Sequence, residues 1–281
     1  MTIELALLML FAAALNASWN ALIKVSGDRI AVMVAISIVA SVLAAILLPF
    51  AGVPDPASLQ WLPVAIALHV GYLVLLPLAY NYGDLGQIYP IARGSSPLIV
   101  TLGAFIFVGE VLDPIPLLGV ACLTVGVMTL ACDRGTGFAQ NRRGVGLALL
   151  TGAFVAAYTI VDGIGARASG NALAFALWLK VGDGLVIFLL FAPWKRAAIM
   201  EAFRKSAPAV GLFGGVQILT YCILLYALSR APFGVVAALR ETSVLFAALI
   251  STFWLKEGFG VWRFASAGLV FAGIILSRYK R

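Results

Sequence analysis

The stretch Gln87-Ile88-Tyr89-Pro90-Ile91-Ala92-Arg93-Gly94-Ser95-Ser96-Pro97 puts a cation, three hydroxyls and two prolines inside a long apolar run. An offset of 147 residues, the distance from Arg93 to Arg240, brings it onto Arg240-Glu241-Thr242-Ser243. The same offset lays Ser96 on Ser243, Leu98 on Leu245, Leu102 on Leu249, Glu110 on Glu257 and Gly126 on Gly273 without a gap. With one residue of slack, His69 falls on Gln217, each a lone polar group in an apolar segment. Internal similarity at a fixed offset is the mark of a duplicated architecture.

The material around these motifs decides the fold class. Of the 281 residues, 63% are hydrophobic and 11% charged, where an ordinary globular domain is roughly a quarter charged. The mean hydropathy is +1.06. A bilayer-crossing helix needs about 20 apolar residues, and the chain divides into ten such pieces: 4–24, 30–50, 60–82, 86–108, 114–132, 144–166, 172–193, 208–228, 232–255 and 260–277. The alternating pattern of barrel strands is absent, which leaves the helix as the spanning form. The expected fold is all-α and integral to the membrane. Residues 1–133 form one five-helix repeat, 134–143 a connector, and 144–281 a second repeat. An odd number of spans per repeat inserts the second copy upside down, the arrangement of many secondary transporters.

The first segment has no basic leader and no small-residue cleavage site, so it reads as a retained span. Cys122, Cys132 and Cys222 make an odd set in apolar surroundings, which argues against a disulfide framework. The net charge of +7 resides in connectors rather than on one face, so it does not indicate nucleic acid. Lys24, Arg29, Arg134, Arg142, Arg143, Lys195, Arg196, Arg204, Lys205 and Lys256 fall on one side of the membrane. Arg167, Arg230, Arg278, Lys280 and Arg281 fall on the other. The excess of cytoplasmic Lys and Arg would then leave both termini outside. Residues 194–205 read either as an interfacial amphipathic helix or as a plain basic connector.

Polar groups within spans are the functional signal, because a charge at the bilayer centre costs about 2.5–3.5 kcal/mol on insertion scales. Tyr89, Arg93 and Ser96 share a helical face, and Pro90 and Pro97 are expected to kink the helix beside Arg93. Arg240 and Ser243 repeat the spacing. Inverted copies would set the two guanidiniums on opposite sides of the midplane, facing a shared cavity. Their planar donors suit a carboxylate or phosphate. The competing reading is an internal clamp, with Glu241 or Asp162 holding the arginines.

Asn16, Asn20 and Lys24 form a polar stripe beside Trp19, suited either to a ligand or to helix–helix adhesion. Tyr158, Thr159 and Asp162 occupy the matching region of the second half, where Asp162 is placed for proton or cation coupling or for a helix cap. Glu241 is a second coupling candidate. Lys180 and Asp183 are three apart and expected to pair. His69 reads as a proton relay or as a hydrogen-bonded side chain. Gln217 and Tyr221 share a face, and with Tyr72 and Tyr80 they suit a cavity wall or core packing. Gly211, Gly214 and Gly215, and Gly152 with Ala156, offer close helix approach. No zinc spacing, phosphate loop, nucleophile elbow or dinucleotide fingerprint occurs, so no metal or cofactor is expected. A membrane-embedded lipid-modifying enzyme and a non-transporting packing subunit are the rival classes.

The order Tyr89-Pro90-Ile91-Ala92-Arg93-Gly94, with Gly109-Glu110 echoed by Lys256-Glu257, resembles the ten-helix, EamA-like branch of the drug/metabolite transporter superfamily. The resemblance covers the whole chain. It implies an exporter or exchanger of amino acids, other small metabolites or drugs in the inner or plasma membrane, working by alternating access without ATP. It implies a cavity lined by spans 1, 3, 4, 6, 8 and 9. The helix-end glutamates, Glu110 and Glu257, would be structural. Both termini would be cytoplasmic, against the charge count. The expected substrate site is Asn16, Trp19, Asn20, Tyr89, Arg93, Ser96, Tyr158, Gln217, Tyr221, Arg240 and Ser243. Partners are a small-molecule substrate, membrane lipid and protons as coupling ion, with no nucleic acid, in a monomer or homodimer.

Overall fold

The computed structural model describes residues 1–25, 28–82, 85–130, 141–255 and 261–277, apart from the side chains of 19–25, 29, 77, 80, 85–87, 247–255, 261 and 263. Its elements are helices: α1 (Ile3–Val25), α2 (Arg29–Ala51), the single turn α3 (Pro56–Leu59), α4 (Trp61–Tyr80), α5 (Leu85–Val108), α6 (Pro114–Thr129), α7 (Arg142–Ala168), α8 (Ala172–Arg230), α9 (Phe233–Leu255) and α10 (Val261–Ser277). Among the described residues five stretches are long and apolar enough to cross a bilayer: Ile30–Ala51, Pro56–Leu76, Ile88–Val108, Arg142–Ala168 and Ala172–Arg230.

Short polar side chains start the helices. Asp28 accepts from the Ala31 N–H at 3.0 Å, Asn141 from Gly144 at 3.0 Å and Asn171 from Ala174 at 3.1 Å, each satisfying one of the orphan donors of a first turn. Asn171 also donates to the Ala51 carbonyl at 2.9 Å, tying the start of α8 to the end of α2.

As one straight rod, the 59 residues of α8 would reach about 88 Å, nearly three times a hydrocarbon core of about 30 Å. The helix instead breaks at Ser206, whose φ of −138° and ψ of 29° are not helical. Leu177 and Ile218, on opposite sides of that break, share a cluster with Ala40 and Ala44. Farther along, Ile187 and Val210 share one with Ala31, Val34, Ala35 and Ile36. The two arms of α8 therefore fold back on each other against α2. Residues 194–205 are helical and continuous with the first arm.

Small residues set the closest helix contacts. A Cβ on Gly126 of α6 would meet Val270 of α10 at 3.0 Å, and one on Gly273 would meet Leu123 at 2.7 Å. The two helices run antiparallel, since Gly119 faces Ser277 while Gly126 faces Val270. Gly152 packs on the Ala92 carbonyl and Gly214 on Val39, whereas a Cβ on Gly211 or Gly215 would meet nothing within 4 Å among the described residues. Outward surfaces are apolar: Phe50, Phe107, Trp194 and Phe271 are largely exposed. Arg93, Asp162, Asp183 and Glu241 are buried. An exposed apolar exterior around a charged interior is the distribution of a chain solvated by lipid.

Candidate functional site

α5 stays helical through Pro90 and Pro97. Pro97 has no N–H to offer the carbonyl of Arg93, four residues earlier. The Ser96 hydroxyl takes that acceptor, donating to it at 3.1 Å. Ser95 likewise donates to a carbonyl three residues earlier, that of Ala92, at 3.3 Å. Ser96 is thus buried and occupied with its own helix.

The two arginines singled out by the offset differ. Arg93 is buried, with its Nε 2.7 Å from Oε2 of Glu241 and its guanidinium 5.9 Å from the Tyr89 ring centroid. That approach is an ion pair without hydrogen-bond alignment, as neither atom completes a hydrogen bond. Of the two readings the sequence left open, a shared cavity or an internal clamp, this contact is the clamp for Arg93: it reaches Glu241 on α9, next to its counterpart Arg240. Arg240 itself is half-buried while Leu239 and Glu241 beside it are buried. It donates from Nη2 to the Tyr158 hydroxyl at 3.0 Å and lies 5.3 Å from that ring. Its Nη1 is buried and has no partner among the described residues.

A second cluster lies across Tyr158. His69 on α4 meets Asp183 at Nδ1, 2.8 Å away, and Asp162 at Nε2, 3.2 Å away. Tyr221 donates to Asp162 Oδ2 at 2.7 Å. Lys180 donates to Asp183 Oδ2 at 2.9 Å, and its ammonium lies 3.9 Å from the Tyr221 ring centroid. The Tyr158 ring stands edge-on to His69 at 4.5 Å and to Tyr72 at 5.9 Å.

Of the residues expected at a site, Tyr89, Arg93, Tyr158, Asp162, Tyr221, Arg240 and Glu241 are drawn into these two joined clusters. Ser243 is buried nearby on α9 with no partner for its hydroxyl among the described residues. Asn16 on α1 and Gln217 on α8 are half-buried. The side chains of Trp19, Asn20 and Tyr80, and residues Lys256, Glu257 and Cys132, lie outside the described residues. His69, read from the sequence as a proton relay or a hydrogen-bonded side chain, and Asp183, read as the partner of Lys180, were not counted among the site residues. The available signal was that each is an ionisable group in mid-span.

At the end of the bundle that holds the chain's first residue, Glu110 and Arg167 pair at 2.5 Å. Glu110 also accepts from the Phe233 N–H at 2.8 Å. Arg167 donates to the Leu228 carbonyl at 3.0 Å and the Ala231 carbonyl at 2.9 Å. Beside this clamp lies a cavity of about 810 Å³, bordered by Glu4, Asp113, Tyr226, Arg230 and Ser277 among others.

Described elements that are all helices, with an apolar exterior and ionisable side chains gathered at mid-helix, mark a multi-pass membrane protein. Residues 142–279 match the model of the EamA-like transporter family, which is consistent with the drug/metabolite transporter superfamily. A solved structure titled "Crystal structure of protein" superposes with a TM-score of 0.73 at 17% identity, covering 99% of this chain and 97% of that one. That likeness concerns the fold alone. No protein in the curated comparison matches the chain.

Proposed function

We propose that the protein is a secondary transporter, an exporter or exchanger, for a small polar or amphipathic metabolite that carries a carboxylate or similar anion. An amino acid is the simplest case. Ten crossings follow if α8 spans twice, once on each side of Ser206. Two inverted five-helix repeats are supported by a reciprocity in the α6–α10 contact. Gly126 meets Val270 and Gly273 meets Leu123, and the 147-residue offset that carries 126 to 273 carries 123 to 270. Self-complementary contact is what a two-fold relation between copies produces. Rocking of one repeat against the other would supply alternating access.

The observation that carries the reading is Arg240. A guanidinium that deep in a bilayer needs an anion or water, and here a neutral phenol is its hydrogen-bond partner while Nη1 has none among the described residues. Arg93, Arg240 and Glu241 together hold one positive charge in excess, so a substrate carboxylate would neutralise the set and occupy the planar donors. Asn16 on α1, Tyr89 on α5, Gln217 on α8 and Ser243 on α9 itself would add hydrogen bonds, and Tyr158 and Tyr221 would cover an apolar substituent. The described basic residues Arg142, Arg143, Lys195, Arg196, Arg204 and Lys205 cluster away from the Glu110–Arg167 end, which supports a cytoplasmic placement for their side.

The test is a thermal-shift screen of the detergent-solubilised protein against amino acids and other small carboxylates. It is followed by uptake of each stabilising compound into reconstituted liposomes. A binder present at about 100 times its Kd raises stability by about 2.7 kcal/mol. Arg240→Ala should abolish that shift and reduce uptake at least tenfold while the protein stays folded. Uptake by the variant equal to wild type would remove Arg240 from the site.

A further inference from the structure

His69 sits between two carboxylates, each in hydrogen-bond contact with a different ring nitrogen. A neutral imidazole has one N–H to give, so it can satisfy one carboxylate while its other nitrogen turns a lone pair on the second. Separations of 2.8 and 3.2 Å are those of donor and acceptor with nothing between them. Two donors are therefore required. A proton on a carboxyl Oδ1 does not serve, because Oδ1 of Asp162 and of Asp183 are buried with no partner among the described residues. The engaged Oδ2 atoms accept from Tyr221 and Lys180 as well, which favours their ionised form, and imidazole is the more basic partner. The imidazole ring is where the additional proton belongs.

We infer that Asp162, His69 and Asp183 form a proton-binding site whose occupancy is coupled through Tyr158 to the anion-holding Arg240. The groups facing the imidazole are Tyr158 and Asp162 from α7, Lys180 and Asp183 from the first arm of α8 and Tyr221 from the second. With the proton in place, imidazolium and Lys180 balance the two carboxylates. Without it, the set carries one uncompensated negative charge inside the bilayer. Tyr158 touches both clusters, edge-on to His69 at 4.5 Å and 5.3 Å from the Arg240 guanidinium carbon. The guanidinium thus lies within about 10 Å of the imidazole, where unit charges at an effective dielectric of about 20 alter each other's binding by about tenfold. An unprotonated triad competes with the substrate anion for Arg240. A protonated triad releases it. Proton and anion then bind cooperatively, and the coupling is equal in both directions. This last step rests on the transport reading; the proton site does not.

His69 is the chain's single histidine, so histidine labelled with nitrogen-15 gives one imidazole in the spectrum of the full chain in nanodiscs. Titrated from acid to strongly alkaline pH, the ring should carry protons on both nitrogens at neutral pH. Asp183→Asn should weaken its proton affinity tenfold or more. Arg240→Gln, which lies outside the triad, should strengthen it by about tenfold. A neutral ring with one N–H at neutral pH overturns the proposal, as does a proton affinity that neither variant moves. Expected titrations in a protein that carries no carboxylate across liposomes would uphold the proton site and remove the transport reading alone.

Discussion

Arg167 and Arg240 lie in the same half of the chain and differ in how much of their hydrogen-bonding capacity is used. Arg167, at the bundle end, spends its donors on Glu110 and on the Leu228 and Ala231 carbonyls, and its guanidinium lies 4.0 Å from the Phe233 ring centroid. The carbonyls are those that the end of α8 leaves unsatisfied. Glu110, in turn, takes the first N–H of α9 and places a negative charge at that helix's N-terminus. Arg240, in mid-helix, has one phenolic partner and an empty Nη1 among the described residues. A saturated arginine fixes where α9 begins. An unsaturated one, seven residues past Phe233, has capacity beyond what the described residues use. Gly109 makes the clamp reachable: its φ of 72° turns the chain sharply after α5 in a conformation that costs glycine little, and Glu110 follows.

The largest effect should come from Arg93, which stands between these cases. It is paired but buried, so Arg93→Ala strands the Glu241 carboxylate. Breaking a buried pair in this way costs about 3–5 kcal/mol, read as a fall in thermal stability in detergent. The double variant Arg93→Met with Glu241→Leu should recover most of that loss. Arg240→Ala, with no stranded carboxylate, should leave stability near wild type, and a loss as large as that of Arg93→Ala would erase the distinction. Next comes the clamp. Glu110→Ala removes a charged partner from Arg167 and from the Phe233 N–H, which costs about 2 kcal/mol for partly buried charge-assisted bonds. Gly273→Ala is expected to lose about 1–3 kcal/mol by overpacking, because the new methyl meets the Gly119 carbonyl at 2.8 Å and the Leu123 amide nitrogen at 2.8 Å, backbone atoms that cannot turn aside. If that variant is as stable as wild type, the α6–α10 seam is looser than its geometry.

The helical class and the charged mid-span positions were legible because they depend on composition and on the cost of charge in hydrocarbon. Lys180 with Asp183 was legible for a local reason, as three residues along one helix make neighbours. Periodicity gives each helix a face and does not say which faces meet. Hence Glu241 could be named as a possible clamp for Arg93 while its preference for that partner over a ligand stayed open. The same limit hid the triad: His69, Asp162 and Asp183 come from three helices, and the fold-back of α8 sets Tyr221 beside Lys180, 41 positions away in sequence. Ser96 was readable as polar and helical. Its attachment to the Arg93 carbonyl follows from Pro97, which was read as a kink rather than as a vacancy that a hydroxyl could fill.

The smallest expected effect tests the opposite end of the bundle. Asp28 caps α2 through the Ala31 N–H and pairs with Lys195 at 2.8 Å, reaching α8 just before its break. Lys195 first, then that N–H, holds the carboxyl below its ordinary range. A lowered folded-state value means the unfolded chain binds the proton more tightly. The contribution is therefore complete above the ordinary Asp value of about 3.9 and fades as pH falls toward and through the folded-state value. Both side chains are more than a third exposed, so solvent screening keeps the pair to about 0.5 kcal/mol or less. Lys195→Met should lower stability by that small amount at neutral pH and by nothing once Asp28 is protonated in both states, and added salt should shrink the neutral-pH difference. A salt-insensitive loss comparable to that of Glu110→Ala would mean that the Asp28–Lys195 link clamps its end of the bundle as firmly as Arg167 clamps the other.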